Sequence, residues 1–486
     1  MRILFWFRKD LRLDDNTGLA AAARDAGGDV VPFYASEPAI LSRPDIAPIR
    51  VQFVLDALAD LAAACARAGS RLALAHGDAT ATVVAAARAS GADAVWWNDE
   101  YEPELLARDA AVERALRAAG LGVERFHDRL LVPPGAVRTQ AGTPFTVYSP
   151  YRRACEALPT PLPSPLPAVT RLAAHDLPAP PPATLERLGF APPPPAAVAA
   201  WPGGAAAARR RLEAFLEHGL ARYAGERDFP AVAAHSRLSA DLKFGTIGVR
   251  RVAHAALGAL GGRAAGRDPA LRSSVDKFIA ELRWRDFYAQ VLFHFPHAAT
   301  GAFRREFDAL RWEGDPAWFD AWKAGRTGYP IVDAAMRELA ATGFMHNRTR
   351  MIVASFLTKD LLLDWRAGER WFMQNLVDGD LASNNGGWQW AAGTGTDAQP
   401  YFRIFNPVLQ GARFDPEGTY VKRWVPELAA VPAEKIHVPW EIGVKRRRGS
   451  APALFADAGP PAAYPGRIVL HEEMRERALA MYRAAG

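Results

Sequence analysis

Apolar residues fall into two rhythms along this chain. From Met1 to Gly120, short and nearly unbroken apolar runs alternate with Ala-rich amphipathic stretches such as 51–68 and 79–90. The runs are ILFWF (3–7), VVPFY (30–34), LALAH (72–76) and AVWWN (94–98). Unbroken runs of that length predict strands buried on both faces, and the helices between them predict a parallel, Rossmann-like sheet covered on both sides. Ligands of such sheets gather beyond the carboxyl ends of the strands, which puts 7–16, 34–38 and 98–103 on the functional rim. Solvated loop is the plain alternative for each. From Ala205 to about Gly443 the apolar spacing turns to 3.6 almost throughout, in segments 206–224, 270–295, 329–343, 347–363 and 367–377, and Tyr464 to Gly486 reads as a closing helix. Between the two regimes, Pro159 to Gly204 carries PTPLPSPLP and PPPP, lacks apolar periodicity and favours extended conformations. The expected fold is an α/β N-terminal domain (1–127) and an all-α C-terminal domain (205–486), joined by a long Pro-rich linker (128–204).

Composition changes this picture little. A chain of 486 residues is too long for one core, and half of it is hydrophobic, enough to fill several. The formal charge of +6 suits a polyanionic partner without demanding one. Cys65 and Cys155 make no disulfide framework and fit a reducing compartment. Charge arrives at Arg8, too early for the apolar region of a signal peptide, and no stretch approaches a membrane-spanning length. The expectation is a soluble, intracellular protein with no membrane association and no metal. Neither GxGxxG nor a Walker P-loop is present, which argues against an ordinary dinucleotide or nucleoside triphosphate site. The basic run KRRRG (445–449) reads as solvated surface.

Chemistry concentrates in four stretches. The first is WFMQNLVDGDLASNNGGWQWAAGTGTDAQPYFRIFNP (371–407), which sets seven aromatics around Asp378 and Asp380, with Asn384, Asn385 and two adjacent glycines. Glycines admit a bulky planar ligand close to the backbone, Asn offers a donor and an acceptor, and aromatics supply an apolar wall. The second, FIAELRWRDFYAQVLFHFP (278–296), places Glu281, Trp284, Arg285 and Tyr288 on one helical face; its plain alternative is an exposed Glu281–Arg285 pair. The third, MHNRTRMIVASFLTKDLLLDW (345–365), sets Asn347 and Met351 four residues apart with Arg350 between them, where cap and core filler are the plain readings. The fourth, RDFPAVAAHSRLSADLKFG (227–245), gathers Ser236, Arg237, Leu238 and Ser239 behind Tyr223 and Arg227, a set of donors able to cradle a diphosphate.

In this order, DGDLASNNGGWQWAAGTGTDAQPYFRIFNP closely resembles the flavin-binding core of the photolyase/cryptochrome family, and of its class I cyclobutane-dimer photolyases in particular. WFRKDLRLDDN (6–16), APIRVQF (47–53) and AVWWNDEYEP (94–103) extend the resemblance through the first domain, so that it spans residues 1 to about 441. It implies a carbon–carbon lyase that uses reduced FAD and light to split pyrimidine dimers flipped out of UV-damaged DNA. FAD would be held by Tyr223, Ser236, Arg237, Leu238, Ser239, Arg285, Asp378, Asp380 and Asn384, with Arg350 paired to the carboxylate of Asp378. His235 departs from the Thr common at that position. Glu281, Asn384 and Arg350 would carry catalysis. Arg227, Glu281, Trp284, Asn347, Arg348, Met351, Trp390 and Arg403 would meet the DNA. Trp388, Trp365 and Trp312 match an electron route from the ring to the surface. Arg50, Glu100 and Lys243 match contacts to an antenna, 8-hydroxy-5-deazaflavin ahead of folate. The rivals are a (6-4) photolyase, which would carry histidines where this chain has Asn347 and Met351, a cryptochrome-like blue-light receptor, and a dark flavin oxidoreductase.

Overall fold

The computed structural model describes residues 1–180, 183–261, 268–442 and 463–485; the run 445–449 lies outside the described residues. Two compact units form. The first takes Met1–Gly225, Ala234–Ala299 and Met373–Ser383, and the second takes Glu226–Ala233, Thr300–Phe372 and Asn384–Gly486.

Five described strands build the sheet of the first unit: β1 (Ile3–Phe7), β2 (Val30–Ser36), β3 (Ala73–His76), β4 (Ala94–Asn98) and β5 (Gly122–Phe126). All pair in parallel in the order β3-β2-β1-β4-β5. Ile3 aligns with both Val30 and Ala94, so β1 and β4 end level at their carboxyl ends while β2 runs two residues further. Every residue of β1 and β4 is buried, as unbroken apolar runs require, and Trp6 meets Trp97 edge to face at 5.7 Å. β5 was not anticipated. Its sequence GVERF carries Glu124 and Arg125 and lies half exposed at the sheet edge, where apolar patterning fades. Around the sheet pack Thr17–Asp25, Pro48–Arg67, Ala79–Ala89 and Pro103–Ala118. The same unit holds Tyr148–Glu156, Ala205–His218 and the long helix Pro269–His294. The long helix starts where Asp268 accepts from the amides of Ala270 and Leu271, with Pro269 at the first helical position.

The second unit is helical, with Pro330–Thr342, Asn347–Ser355 and the closing helix His471–Ala485, together with most of Trp365–Asn375 and Leu381–Ala392. Helical spacing predicts an unbroken helix over 347–363. Instead the backbone widens after Ser355 into a π-helical turn, Phe356–Asp360, whose five residues are all buried. That turn brings Asp360 to the ring of His471, 2.5 Å from Nδ1, and so anchors the closing helix. Among the described residues no helix is long and apolar enough to cross a membrane.

Candidate functional site

In a sheet ordered β3-β2-β1-β4-β5 the winding reverses between β1 and β4, and the crevice beyond those two strands is where ligands bind. Arg8 and Lys9 leave β1, and Glu100 follows β4 after two residues. Lys9 lies 3.0 Å from Glu100 and 2.7 Å from Glu102, Arg8 lies 2.8 Å from Asp109, and Arg108 reaches Glu100 at 2.5 Å and Glu37 at 2.7 Å. Glu100 is buried. Burial alone would raise its carboxyl, but Lys9, Arg108, Arg8 and Arg129 outweigh it and hold the group well below the ordinary carboxylate range. Lys243, also buried, is pushed well below its ordinary value by burial and by Arg50, against the pull of Asp380 and Glu102.

The turn Asp378–Gly379–Asp380 belongs to this unit. Asp380 accepts from the amide of Ser383 at 3.0 Å and lies 3.6 Å from Arg129. Its burial is more than offset by Lys243, Arg129 and Arg285, so it stays ionised far below the usual range. Arg285 in turn donates to the carbonyls of Leu242, at 2.8 Å, and Arg129. A cavity of about 20 Å³ among Tyr101, Glu102, Arg129, Arg285 and Asp380 has room for one water. A roomier groove of about 360 Å³, lined by Asp14, Arg67, Arg209 and Arg251 among others, touches none of the expected site residues.

The serine-rich loop turns sharply. Arg237 takes a left-handed φ of 53° and Leu238 follows at φ −94° and ψ 5°. Such alternation of hand points successive amides into a concave nest suited to a phosphate. The Arg237 guanidinium lies over Trp201 at 4.6 Å, and Tyr223 packs edge-on against Phe215 and Phe278. Ser236 is half-buried and Ser239 exposed.

On the long helix, Glu281, Trp284, Arg285 and Tyr288 are all half-buried, while Leu282, Arg283, Asp286, Phe287, Ala289 and Gln290 are buried. The face singled out by spacing is therefore a partly open stripe on an otherwise buried helix. Trp284 stacks on Tyr148 with ring centroids 3.7 Å apart and planes 10° from parallel, and the Tyr148 hydroxyl donates to the carbonyl of Ala280 at 2.6 Å. Tyr148 was missed in the sequence. The signal was there, since Tyr148, Tyr151 and Cys155 share the buried side of a short helix, but it lies among the prolines and glycines of 128–204.

The second unit holds the remaining candidates. Asn347 is exposed and Met351 half-buried, with the Asn347 amide 4.0 Å from the Met351 sulfur. Arg350 donates through Nε to the carbonyl of Met345 at 2.8 Å. Arg348 pairs with Asp228 at 2.9 Å and lies over Phe414 at 4.3 Å; Arg227 is 4.0 Å from the same carboxylate. Trp390 is half-buried against Phe405, while Arg403 and Phe402 are exposed, and buried Lys359 holds the carbonyl of Arg403 at 3.1 Å. The Asn384 amide donates to the carbonyl of Glu369 at 3.0 Å, which leaves its oxygen to face elsewhere, and Glu369 also accepts from Asn385 at 3.1 Å. Trp388 and Trp365 are buried, and Trp312 is half-exposed. The Trp388 ring meets Phe372 at 5.0 Å and Trp322 at 6.1 Å. A Cβ on Gly368 would fall 2.1 Å from the ring, so only glycine fits there. Glu369 and Trp322 were also missed; an isolated acid and an isolated core tryptophan leave no pattern in a sequence.

The donors of the first unit fit a flavin nucleotide: an amide nest beside hydroxyls for a diphosphate, and an ionised Asp380 carboxylate for a polar ring edge or ribose. In the second unit the Trp388 indole N–H is buried without a hydrogen-bond partner among the described residues. A flavoprotein with a doubly wound sheet and an aromatic, arginine-bearing helical part is the class this defines. Comparison narrows it. A model described as DNA photolyase matches residues 3–169, and one described as the FAD binding domain of DNA photolyase matches 278–484. A deoxyribodipyrimidine photo-lyase of Halobacterium salinarum is 46% identical over 500 aligned residues, covering 99% of each chain. A solved bacterial class III photolyase from Agrobacterium tumefaciens aligns with TM-score 0.88 and 41% identity over 100% of this chain and 97% of that one. A cryptochrome from Synechocystis aligns with TM-score 0.85 and 29% identity over 99% of each. The chain belongs to the DNA photolyase family.

Proposed function

We propose that this protein repairs cyclobutane pyrimidine dimers in DNA under light, as a deoxyribodipyrimidine photolyase. When bound, reduced FAD supplies the photoexcited electron that the dimer borrows and returns. Ser236, Arg237, Leu238 and Ser239 would hold the diphosphate, with Tyr223, Arg285, Asp378 and Asp380 around the remainder; Arg350 and Asn384 would serve the flavin ring, Asn384 at its reactive nitrogen. Trp284, steadied by its stack on Tyr148, and Trp390 flank the extruded dimer. Glu281 hydrogen-bonds the dimer while it carries the extra electron. Asn347 and Met351 complete the wall, and Arg227, Arg348 and Arg403 meet phosphates. Extrusion of a damaged base costs only a few kcal/mol, and stacking on an aromatic returns roughly 1–3 kcal/mol per base.

The carrying observation is end-to-end similarity to deoxyribodipyrimidine photo-lyases, combined with an amide and a thioether, not histidines, on the open face of Asn347–Ser355. The missing imidazoles speak against (6-4) repair, and the lower identity to the solved cryptochrome speaks against a purely sensory role. Trp388 and Trp365 are buried and Trp312 is partly exposed, which supports Trp312 as the surface end of the route. Arg50, Glu100 and Lys243, all buried, are read as contacts to an antenna, 8-hydroxy-5-deazaflavin ahead of folate. We place the protein in the cytosol as a monomer, with domains 1–127, 128–204 and 205–486. The test is to incubate purified protein with dimer-containing oligonucleotide in darkness and under blue light. Thymines restored only in the lit sample support the proposal, and repair that is absent in light or equal in the dark sinks it.

A further inference from the structure

Arg50 sits near the start of the helix Pro48–Arg67 and is only 4% exposed. Its guanidinium is committed to backbone oxygens. Nη1 donates to the carbonyl of Gly379 at 2.7 Å, and Nη2 donates to the carbonyls of Asp45, at 2.6 Å, and Met373. Gly379 is the residue between the two carboxylates expected to hold flavin. A Cβ there would lie 2.7 Å from Nη1 of Arg50 and 3.2 Å from the sulfur of Met373. A side chain at this position would push the guanidinium tip off its carbonyls. A second tie runs alongside, from the Gln374 side-chain amide to the carbonyl of Pro44 at 3.0 Å.

We infer that Arg50 is a positioning residue for FAD: by clamping the carbonyls of Met373 and Gly379 it sets the direction in which Asp378 and Asp380 present their carboxylates. This rests on the reading of those two aspartates as flavin ligands, and it assigns Arg50 a task besides any contact with an antenna. The planar fork matters, because it bonds three carbonyls from two segments; a lysine ammonium on a flexible stem does not reproduce that spacing. Burial lowers the Arg50 guanidinium to about 10, so it still carries its charge at neutral pH, close to Asp378 and Asp380.

The experiment uses purified full-length holoprotein and two substitutions that attack the clamp from opposite sides, Arg50→Lys and Gly379→Ala. FAD release is followed by its fluorescence, and the shape of the flavin visible absorption band is recorded beside the melting temperature. Loss of hydrogen bonds from a charged donor predicts that both variants release FAD about tenfold faster or more. Both should also show a broadened flavin band. Release rates and band shape unchanged in both variants, whether or not the melting temperature falls, would overturn the inference, as would loss of a second chromophore with flavin binding intact. FAD retention by the unaltered protein is read in the same assay, so failure of the clamp is distinguishable from failure of the flavin reading.

Discussion

Asp286 shows how far a single residue can be from what its neighbours in the sequence suggest. It follows Arg285 on the long helix, yet it is fully buried and accepts from the amides of Leu131 and Val132 at 3.0 and 3.1 Å. Burial pushes its carboxyl up to about 7, against Arg285 and those two amides. A folded-state value above the unfolded one means the proton stabilises the fold: the contribution is full below about pH 4 and is lost as pH rises towards 7. Asp286→Asn should therefore flatten the fall in stability between about pH 4 and 7, by a few kcal/mol at most. Melting temperatures of both proteins across that range measure it, and parallel profiles would exclude the assignment. Composition holds no hint of this, because only the enclosure of the 129–132 turn makes the carboxyl unusual.

At the scale of elements, periodicity located the helices and the tertiary contacts gave them work. The stretch 371–407 contains Leu381–Ala392, a helix that carries Asn384 and Trp388 despite its paired glycines. Its partner Trp365–Asn375 supplies Gly368 and Phe372 against the Trp388 ring, and Glu369 to both asparagines. Trp388→Phe keeps an apolar ring in that packing but removes the oxidisable indole proposed as the first step of the electron route. Photoreduction of oxidised flavin should be blocked, while repair should persist when a chemical reductant is supplied. Absorbance changes under illumination report the first and oligonucleotide repair the second, and undiminished photoreduction would redirect the route. The closing helix, read in the sequence merely as an end, stacks Tyr482 on Tyr401 at 5.4 Å and donates from Tyr482 to the carbonyl of Ala392. Together with Lys359 on the carbonyl of Arg403, it braces the loop that bears Arg403 and Phe402.

Across the molecule, the charge of +6 is modest, so DNA binding depends on where cations stand rather than on their sum. Arg403 is exposed, whereas Arg348 already faces Asp228. Affinity for dimer-containing DNA should fall as salt rises, and Arg403→Ala should reduce the slope of log affinity against log salt by about one. Titrations at several salt concentrations decide it; an unchanged slope would remove Arg403 from the phosphate contacts.

Four of the five described strands, most helices and the family were legible because they depend on local order: unbroken apolar runs, 3.6-residue spacing, and long motifs whose residues follow one another. The half-buried stripe Glu281–Trp284–Arg285–Tyr288 was legible for the same reason. What spacing could not supply were pairings across long stretches of chain, such as Arg50 with Gly379, Tyr148 with Trp284 and Lys9 with Glu100. A side chain's partner, burial and protonation follow from what the fold encloses beside it, and that enclosure is a property of three-dimensional packing, not of chain order.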